Sequence, residues 1–201
     1  MNSRAEKGVA MRRYFEYGGI AASILLIALG IGSIAIGAWG INTVRDNLKQ
    51  EQIYFGDASQ DPAVPADLSG KQVTTGGEAR EFAKVMRKHA LEATGGQTYS
   101  QMGRFLDKNG NPTSDEAQAA KDPKTGQPVA NEARNIWVTE TALATALNVA
   151  FFGERVGVFG IVMGIALLLV GIGFLILTLG GALRRREAAE AETVTPATAT
   201  N

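Results

Sequence analysis

The sequence contains no cysteine, and His89 is its only histidine. The absence of cysteine excludes a disulfide, a thiolate metal site and a cysteine nucleophile. A single imidazole cannot supply the two histidines of a non-haem iron triad or of a histidine-rich zinc site. The composition therefore indicates neither a metal ion nor another cofactor.

Net charge is also absent, because 20 Lys and Arg balance 20 Asp and Glu. This balance gives no reason to expect a nucleic acid partner. Two stretches, Ile20–Ile41 and Val156–Leu179, contain no ionisable side chain at all. Each is long enough for a bilayer-spanning helix, which needs about 20 apolar residues. A transporter or channel would normally keep a charged residue within such a stretch. This disfavours a transporter or channel built from one copy, and only weakly a pore built from several copies.

The two stretches predict a mainly α integral membrane protein with two transmembrane helices and a small, mostly helical extracytoplasmic domain. The first stretch is longer than the apolar core of a signal peptide, about 7–15 residues, and is interpreted as an uncleaved anchor. The predicted segments are an N-terminal tail (1–17), the first span (18–44), the extracytoplasmic domain (45–152), the second span (153–183) and a disordered C-terminal tail (184–201).

Basic residues beside the apolar stretches predict the orientation in the plasma membrane. Arg12 and Arg13 precede the first stretch, and Arg184–Arg186 follow the second. Basic residues close to span ends favour the cytoplasmic side, whereas long loops cross largely regardless of charge. We therefore expect both termini to be cytoplasmic and the loop to be extracytoplasmic.

A clear helix signal in the loop begins at Thr75. Thr75 and Glu78 fit a capping box, and Gly95-Gly96 supplies a left-handed stop. One face is expected to be apolar, with His89 partly buried at its edge: Phe82, Val85, Met86, His89 and Ala93. The other face is basic, and is either solvated, the favoured interpretation, or a surface for an anionic lipid or polymer: Arg80, Lys84, Arg87 and Lys88.

The sequence from Asn131 to Gly153 contains no helix breaker, which predicts one long helix that runs into the second span. Its apolar stripe is expected at Ile136, Leu143, Leu147 and Ala150. Short segments earlier in the loop, Ile53–Phe55 and Gln72-Val73, are interpreted as a minor β element.

Residues 103–131 are predicted to form turns. Asp107, Asn109 and Asn111 alternate as in an EF-hand, but Pro112 and Gln118 occupy positions where that loop needs glycine and glutamate. Ordinary turn chemistry is therefore favoured, and an irregular Ca²⁺ site is the alternative.

Small residues recur in both apolar stretches at the spacing typical of close helix packing in lipid. The first stretch has Gly32 on one ridge and Gly37 on the adjacent ridge, and the second has Gly157, Gly160 and Gly164. These residues are expected to pack the two spans on each other or on another subunit. Both interpretations stay open.

Residues Lys88–Tyr99, KHALEATGGQTY, resemble the segment KHALEATGGKTY of a group of two-span actinobacterial membrane proteins. Asn135–Leu143 and Ala146–Asn148 resemble the segment that leads into the second span of that group. The resemblance covers roughly Asp67 to Leu179 and implies an actinobacterial plasma-membrane protein. Members are mostly uncharacterised, and some carry the label aromatic ring-opening dioxygenase. Such enzymes hold iron with two histidines and a carboxylate, so the label does not fit a chain whose only histidine is His89.

The resemblance singles out a patch of six residues, with a structural role as helix stop, glycine turn and a tyrosine that packs back on the helix: His89, Thr94, Gly95, Gly96, Thr98 and Tyr99. Candidate acid–base groups are explained as exposed helix carboxylates: Glu78, Glu81, Glu92 and Glu140.

We expect a non-enzymatic protein of the lipid bilayer that binds other membrane subunits or itself. It would be an accessory subunit of an envelope or respiratory complex, or a homo-oligomer. The alternative is an extracytoplasmic ligand sensor that signals through a partner.

Overall fold

A computed structural model describes the backbone of residues 2–180, with the side chains of residue 14 and of residues 16–180. The predicted tail 184–201 lies outside the described residues. The chain forms three helices, α1 (Asn2–Gln50), α2 (Gly76–Ala93) and α3 (Glu132–Leu179). The prediction of a mainly helical chain is confirmed, and α3 runs without interruption through Gly153.

Helices α1 and α3 each contain a segment long and apolar enough to cross a membrane, Glu16–Gln50 and Glu132–Leu179. Only 11% of the most apolar window of each segment is buried. A core helix of a soluble protein would bury most of that surface. The two candidate spans instead keep their apolar side chains on the outside.

The described chain divides into two compact units. One contains α1 as far as Trp39 and α3 from Gly157 onward, and the other is Gly40–Val156. The second unit has its own apolar core, formed by residues from all three helices and from the connector between α1 and α2: Leu48, Phe55, Val64, Val73, Ala79, Ala83, Val85, Ala144 and Leu147.

Local signals set both ends of α2. Thr75 accepts a hydrogen bond from the Glu78 backbone N–H, and the Glu78 carboxylate accepts one from the Thr75 backbone, so the predicted capping box is confirmed. At the other end Gly95 and Gly96 have φ of 62° and 79°. The Gly95 N–H donates to the Glu92 carbonyl and the Gly96 N–H to the Leu91 carbonyl, the two bonds of a Schellman motif.

The β structure is minor. Tyr54 pairs with Gln72 in an isolated antiparallel bridge, at the place predicted for a β element. A two-residue hairpin, β1 (Phe105–Leu106) with β2 (Pro112–Thr113), lies within the segment predicted as turns. Its turn is held by Asp107, whose carboxylate accepts hydrogen bonds from the Asn109 and Asn111 backbone N–H groups at 2.8 Å.

Candidate functional site

The helix crossing in the first unit is built from small residues. A Cβ added to Gly37 would lie 2.6 Å from the Gly157 carbonyl oxygen, and one added to Gly164 would lie 2.7 Å from the Gly30 carbonyl oxygen. These separations are far below the ~3.5–4.0 Å of ordinary carbon contacts. The two backbones therefore approach closely enough that only glycine fits at these positions.

A hydrogen bond joins the same helices. The Ser33 hydroxyl donates to the Gly160 carbonyl at 2.7 Å, and a Cβ added to Gly160 would lie 3.6 Å from the Ser33 carbonyl oxygen. Gly32 lies off this crossing, because a Cβ there would meet no atom within 4 Å. Of the two predicted ridges on α1, the one with Gly37 packs within the chain and the one with Gly32 does not.

The six residues of the patch carried by the resemblance do not converge on one site. Thr94 is buried at the end of α2, where its hydroxyl donates to the Gln97 carbonyl at 2.7 Å. Thr98 begins the next turn, and both its hydroxyl and its backbone N–H donate to the Gln101 side chain. Gly95 and Gly96 form the helix stop. These four residues shape the backbone between α2 and the hairpin.

His89 does not occupy the partly buried position expected from the sequence. Its side chain is 49% exposed, and its Nε2 lies 2.8 Å from the Asp61 carboxylate. Of the five residues expected on the apolar face, Val85 is buried and Phe82 and Met86 pack against the core, whereas His89 and Ala93 are exposed. The contact with Asp61, 28 residues earlier, ties α2 to the connector that follows α1.

Tyr99 packs against α3 and not back on α2. The guanidinium carbon of Arg134 lies 3.9 Å from the centre of the Tyr99 ring, a cation–π contact. Tyr99 also lines a shallow groove with Trp137, Val138 and residues of the next turn of α3. The loop after α2 is thereby fixed to α3.

Glu140 is the most unusual polar group in the second unit. The sequence suggested an exposed carboxylate, but only 4% of this side chain is exposed. Its Oε1 lies 3.2 Å from Nε of Arg87 and makes no hydrogen bond. The Arg87 guanidinium lies 4.5 Å from the Trp137 ring. Helix α2 is therefore joined to α3 by a stacked ion pair that leaves hydrogen-bonding capacity at Glu140 unused.

The spacing of buried positions in α3 explains this burial. Glu140 lies four and seven residues before Ala144 and Leu147, which are both buried, so it shares their face of the helix. Ile136 and Leu143, two members of the expected stripe, are instead 44% and 43% exposed. Glu140 lies on the same helical face as Ala144 and Leu147. This spacing is the sequence signal from which the burial of Glu140 could have been predicted.

An open cleft between α2 and α3 leads to Glu140. It has a volume of about 580 Å³ and is lined on the α2 side by Met86, His89 and Ala90. Glu132 and Asn135 line it on the α3 side. The cleft combines an apolar floor with acidic and polar groups, an arrangement suited to a small ligand that carries hydrogen-bond donors.

Glu154 joins three helices in the second unit. Its carboxylate accepts hydrogen bonds from the Arg45 guanidinium of α1 and from the Gly76 N–H at the start of α2. The first N–H groups of a helix have no partner within it, so a partly buried carboxylate there is favourable. Glycine is required at position 76, because a Cβ would lie 2.8 Å from Cα of Phe151.

Hydrogen bonding shifts the pKa values of several carboxylates. Burial raises the pKa of Glu78, but hydrogen bonds from Thr74 and Thr75 outweigh it and hold the pKa below its ordinary value. Hydrogen bonds from Asn111 and Asn109 likewise lower the pKa of Asp107. Both groups act as acceptors for backbone donors, which is a structural role.

Metal ligands do not cluster in the part of the chain that the structure describes. No group of three or more His, Asp or Glu residues there could hold a metal ion. The Asp107 oxygens are used by the turn that they stabilise.

Comparison with protein-family models, with curated proteins and with solved structures finds no match to this chain. The resemblance to the actinobacterial group stays a prediction. The class that the structure itself defines is a mainly helical protein with two helices able to span a membrane.

Proposed function

We propose that this chain is a non-enzymatic integral protein of the plasma membrane that assembles with another membrane subunit through α3. That subunit is either a component of a larger envelope or respiratory complex or a second copy of the chain. In this proposal α1 and α3 supply the two spans, both termini are cytoplasmic and residues 45–152 form the extracytoplasmic domain.

An exposed apolar face of α3 carries the proposal. Six residues of α3, spaced alternately four and three positions apart, are exposed on the second unit, and we call them the α3 seam: Val138, Ala142, Thr145, Val149, Phe152 and Val156. Val138, Val149 and Phe152 are 52%, 62% and 67% exposed. The Thr145 hydroxyl is bonded to the Thr141 carbonyl at 2.6 Å, so its own hydrogen-bond donor is already satisfied.

This spacing is typical of a helix that packs against another helix. Apolar residues every 3.5 positions keep one seam toward a partner over several turns. Isolated exposed apolar side chains need no explanation, but a continuous patch commonly marks an interaction surface. The seam begins well before the apolar stretch of α3, so lipid alone would not cover all of it.

Three of the four carboxylates considered as acid–base groups have partners that favour a structural role over a catalytic one. Glu78 belongs to the capping box, Glu81 lies 2.6 Å from the Lys84 ammonium, and Glu140 is paired with Arg87. Each of these three groups has a partner that explains its position in the fold.

A test of the proposal is purification of the full chain from membranes in mild detergent, followed by measurement of the mass of the complex. We expect a mass above that of one chain. Val138→Asp with Val149→Asp should release the partner, whereas Thr139→Asp with Asn148→Asp, one position off the seam, should not. A single chain with no partner, or equal effects of both pairs, would overturn the proposal.

A second candidate function, an extracytoplasmic ligand sensor, is favoured by the cleft that leads to Glu140. A ligand with hydrogen-bond donors would bind the acidic and polar side chains that line the cleft, Glu132, Asn135 and Glu140. Thermal-shift screening of the purified full chain against small amines and polyols tests this function. A saturable shift that disappears in Glu140→Leu supports it, and the absence of any shift counts against it.

A further inference from the structure

Two arginines in the second unit share one aromatic ring. The guanidinium carbon of Arg80, on α2, lies 4.7 Å from the centre of the Phe151 ring, and that of Arg155, on α3, lies 5.1 Å from it. Both arginine side chains are exposed. A cation–π contact with the ring holds each guanidinium in place while leaving its N–H donors available.

Neither arginine has an acidic partner among the described residues. The nearest acid in sequence, Glu154, is already used by Arg45 and by the Gly76 N–H. On the basic face of α2, Lys84 pairs with Glu81 and Arg87 with Glu140. Arg80 and Arg155 therefore form a doubly positive pair around Phe151, which we call the Arg80–Arg155 pair.

The position of the pair along the chain indicates what neutralises it. Arg155 directly precedes Val156, the first residue of the apolar stretch. Side chains at that point of a membrane helix lie at the level of the lipid headgroups, where aromatic and basic residues are enriched. This step rests on the proposed membrane insertion of α3, but not on which side the loop faces.

We propose that the Arg80–Arg155 pair binds the phosphoryl group of an anionic membrane lipid. Guanidinium groups match phosphate oxygens with two parallel hydrogen bonds, and two of them around one ring provide such donors from two helices. Arg80 belongs to the basic face predicted from the sequence, and Arg155 on α3 adds a second guanidinium that the periodicity of α2 does not include.

The test uses the full chain purified in detergent and native mass spectrometry with added phosphatidylglycerol or phosphatidylcholine. Wild type should retain phosphatidylglycerol in preference to phosphatidylcholine. Arg80→Gln with Arg155→Gln should lose about tenfold in affinity for phosphatidylglycerol. Arg80→Lys with Arg155→Lys keeps the charge but not the paired donors. Its affinity for phosphatidylglycerol should lie between those of wild type and the glutamine variant.

The matched control is Lys108→Gln with Lys124→Gln, which removes the same charge from exposed positions elsewhere in the loop. Equal retention of phosphatidylglycerol by wild type and the arginine variant would overturn the proposal, as would an equal loss in the lysine control. Far-ultraviolet circular dichroism and the thermal midpoint verify that each variant is folded.

Competition with inorganic phosphate distinguishes a lipid phosphoryl group from a soluble phosphate as the ligand of the Arg80–Arg155 pair. If the lipid is the natural ligand, excess phosphate should leave phosphatidylglycerol bound. Efficient displacement by phosphate would overturn the lipid assignment and identify a site for a soluble phosphate. Extraction of cell membranes with alkaline carbonate separates this inference from the proposed function: a chain released by carbonate contradicts membrane insertion, whereas a retained chain without lipid preference contradicts only the lipid site.

Discussion

Gly37 and Gly157 lie so close together that a Cβ on Gly37 would be 2.6 Å from the Gly157 carbonyl oxygen. Gly30 and Gly164 meet in the same way further along the two helices. Close backbone approach of this kind is how helices associate in lipid, where burial of apolar surface gives little driving force. The glycines at this crossing, Gly30, Gly37, Gly157 and Gly164, therefore serve packing within one chain.

Replacement of Gly164 by Leu should disrupt this crossing. The added side chain would meet the Gly30 carbonyl and the backbone of Ile34, and overpacking of this kind costs about 1–3 kcal/mol. Thermal unfolding in detergent should show the loss. Gly32→Leu, at a position open to the outside, provides the control and should leave the midpoint unchanged. Equal effects of the two substitutions would contradict the crossing.

Glu154→Gln should weaken the junction between the three helices. Its carboxylate accepts from both Arg45 and the Gly76 N–H, and replacing a charged acceptor at a partly buried site costs about 1–3 kcal/mol. A double-mutant cycle with Arg45→Gln, read by chemical denaturation, should give a favourable coupling energy. Additive effects of the two substitutions would show that the pair is not formed.

The Glu78 cap should make the stability of α2 depend on pH. Because its folded-state pKa is lowered, the ionised form contributes stability that is complete above the pKa of the unfolded chain. That contribution is lost as pH falls through the folded-state pKa. Wild type should exceed Glu78→Gln by about 0.5–1 kcal/mol at neutral pH, and unfolding curves at acidic pH should converge. A difference that grows on acidification would contradict this role.

Arg87→Gln should cost more stability than removal of both charges. The single substitution leaves the Glu140 carboxylate buried without its ion pair, which carries a penalty of about 1–3 kcal/mol after allowance for the partial exposure of Arg87. Arg87→Gln combined with Glu140→Leu should recover part of the loss. Denaturation of wild type, Arg87→Gln, Glu140→Leu and the double variant under one condition gives the comparison, and strictly additive losses would argue against the pair.

Features determined by neighbouring residues could be predicted from the sequence. The capping box at Thr75 and Glu78 and the stop at Gly95-Gly96 involve contacts within a few positions, so their signals are complete in a short segment. The length of α3 followed from the absence of a helix breaker. Residue pairs distant in sequence have no such local signal.

The contacts that α2 and the loop after it make with the rest of the second unit depend on such distant pairs. His89 meets Asp61, Tyr99 meets Arg134 and Arg80 shares Phe151 with Arg155. Each pair is set by how α2 packs on the connector or on α3, which depends on the helix rotation. Periodicity therefore predicted the packed face in the middle of α2, but not the exposure of His89 and Ala93 near its end.

Site-specific photocrosslinking in native membranes tests partner binding through α3 most directly. A photoreactive phenylalanine analogue at Val138 or Val149 should form a discrete adduct with a second polypeptide, and the same analogue at Thr139 or Asn148 should not. The adduct mass identifies a second copy or a different subunit. No adduct from either seam position, or adducts of equal yield from all four positions, would contradict assembly through this face.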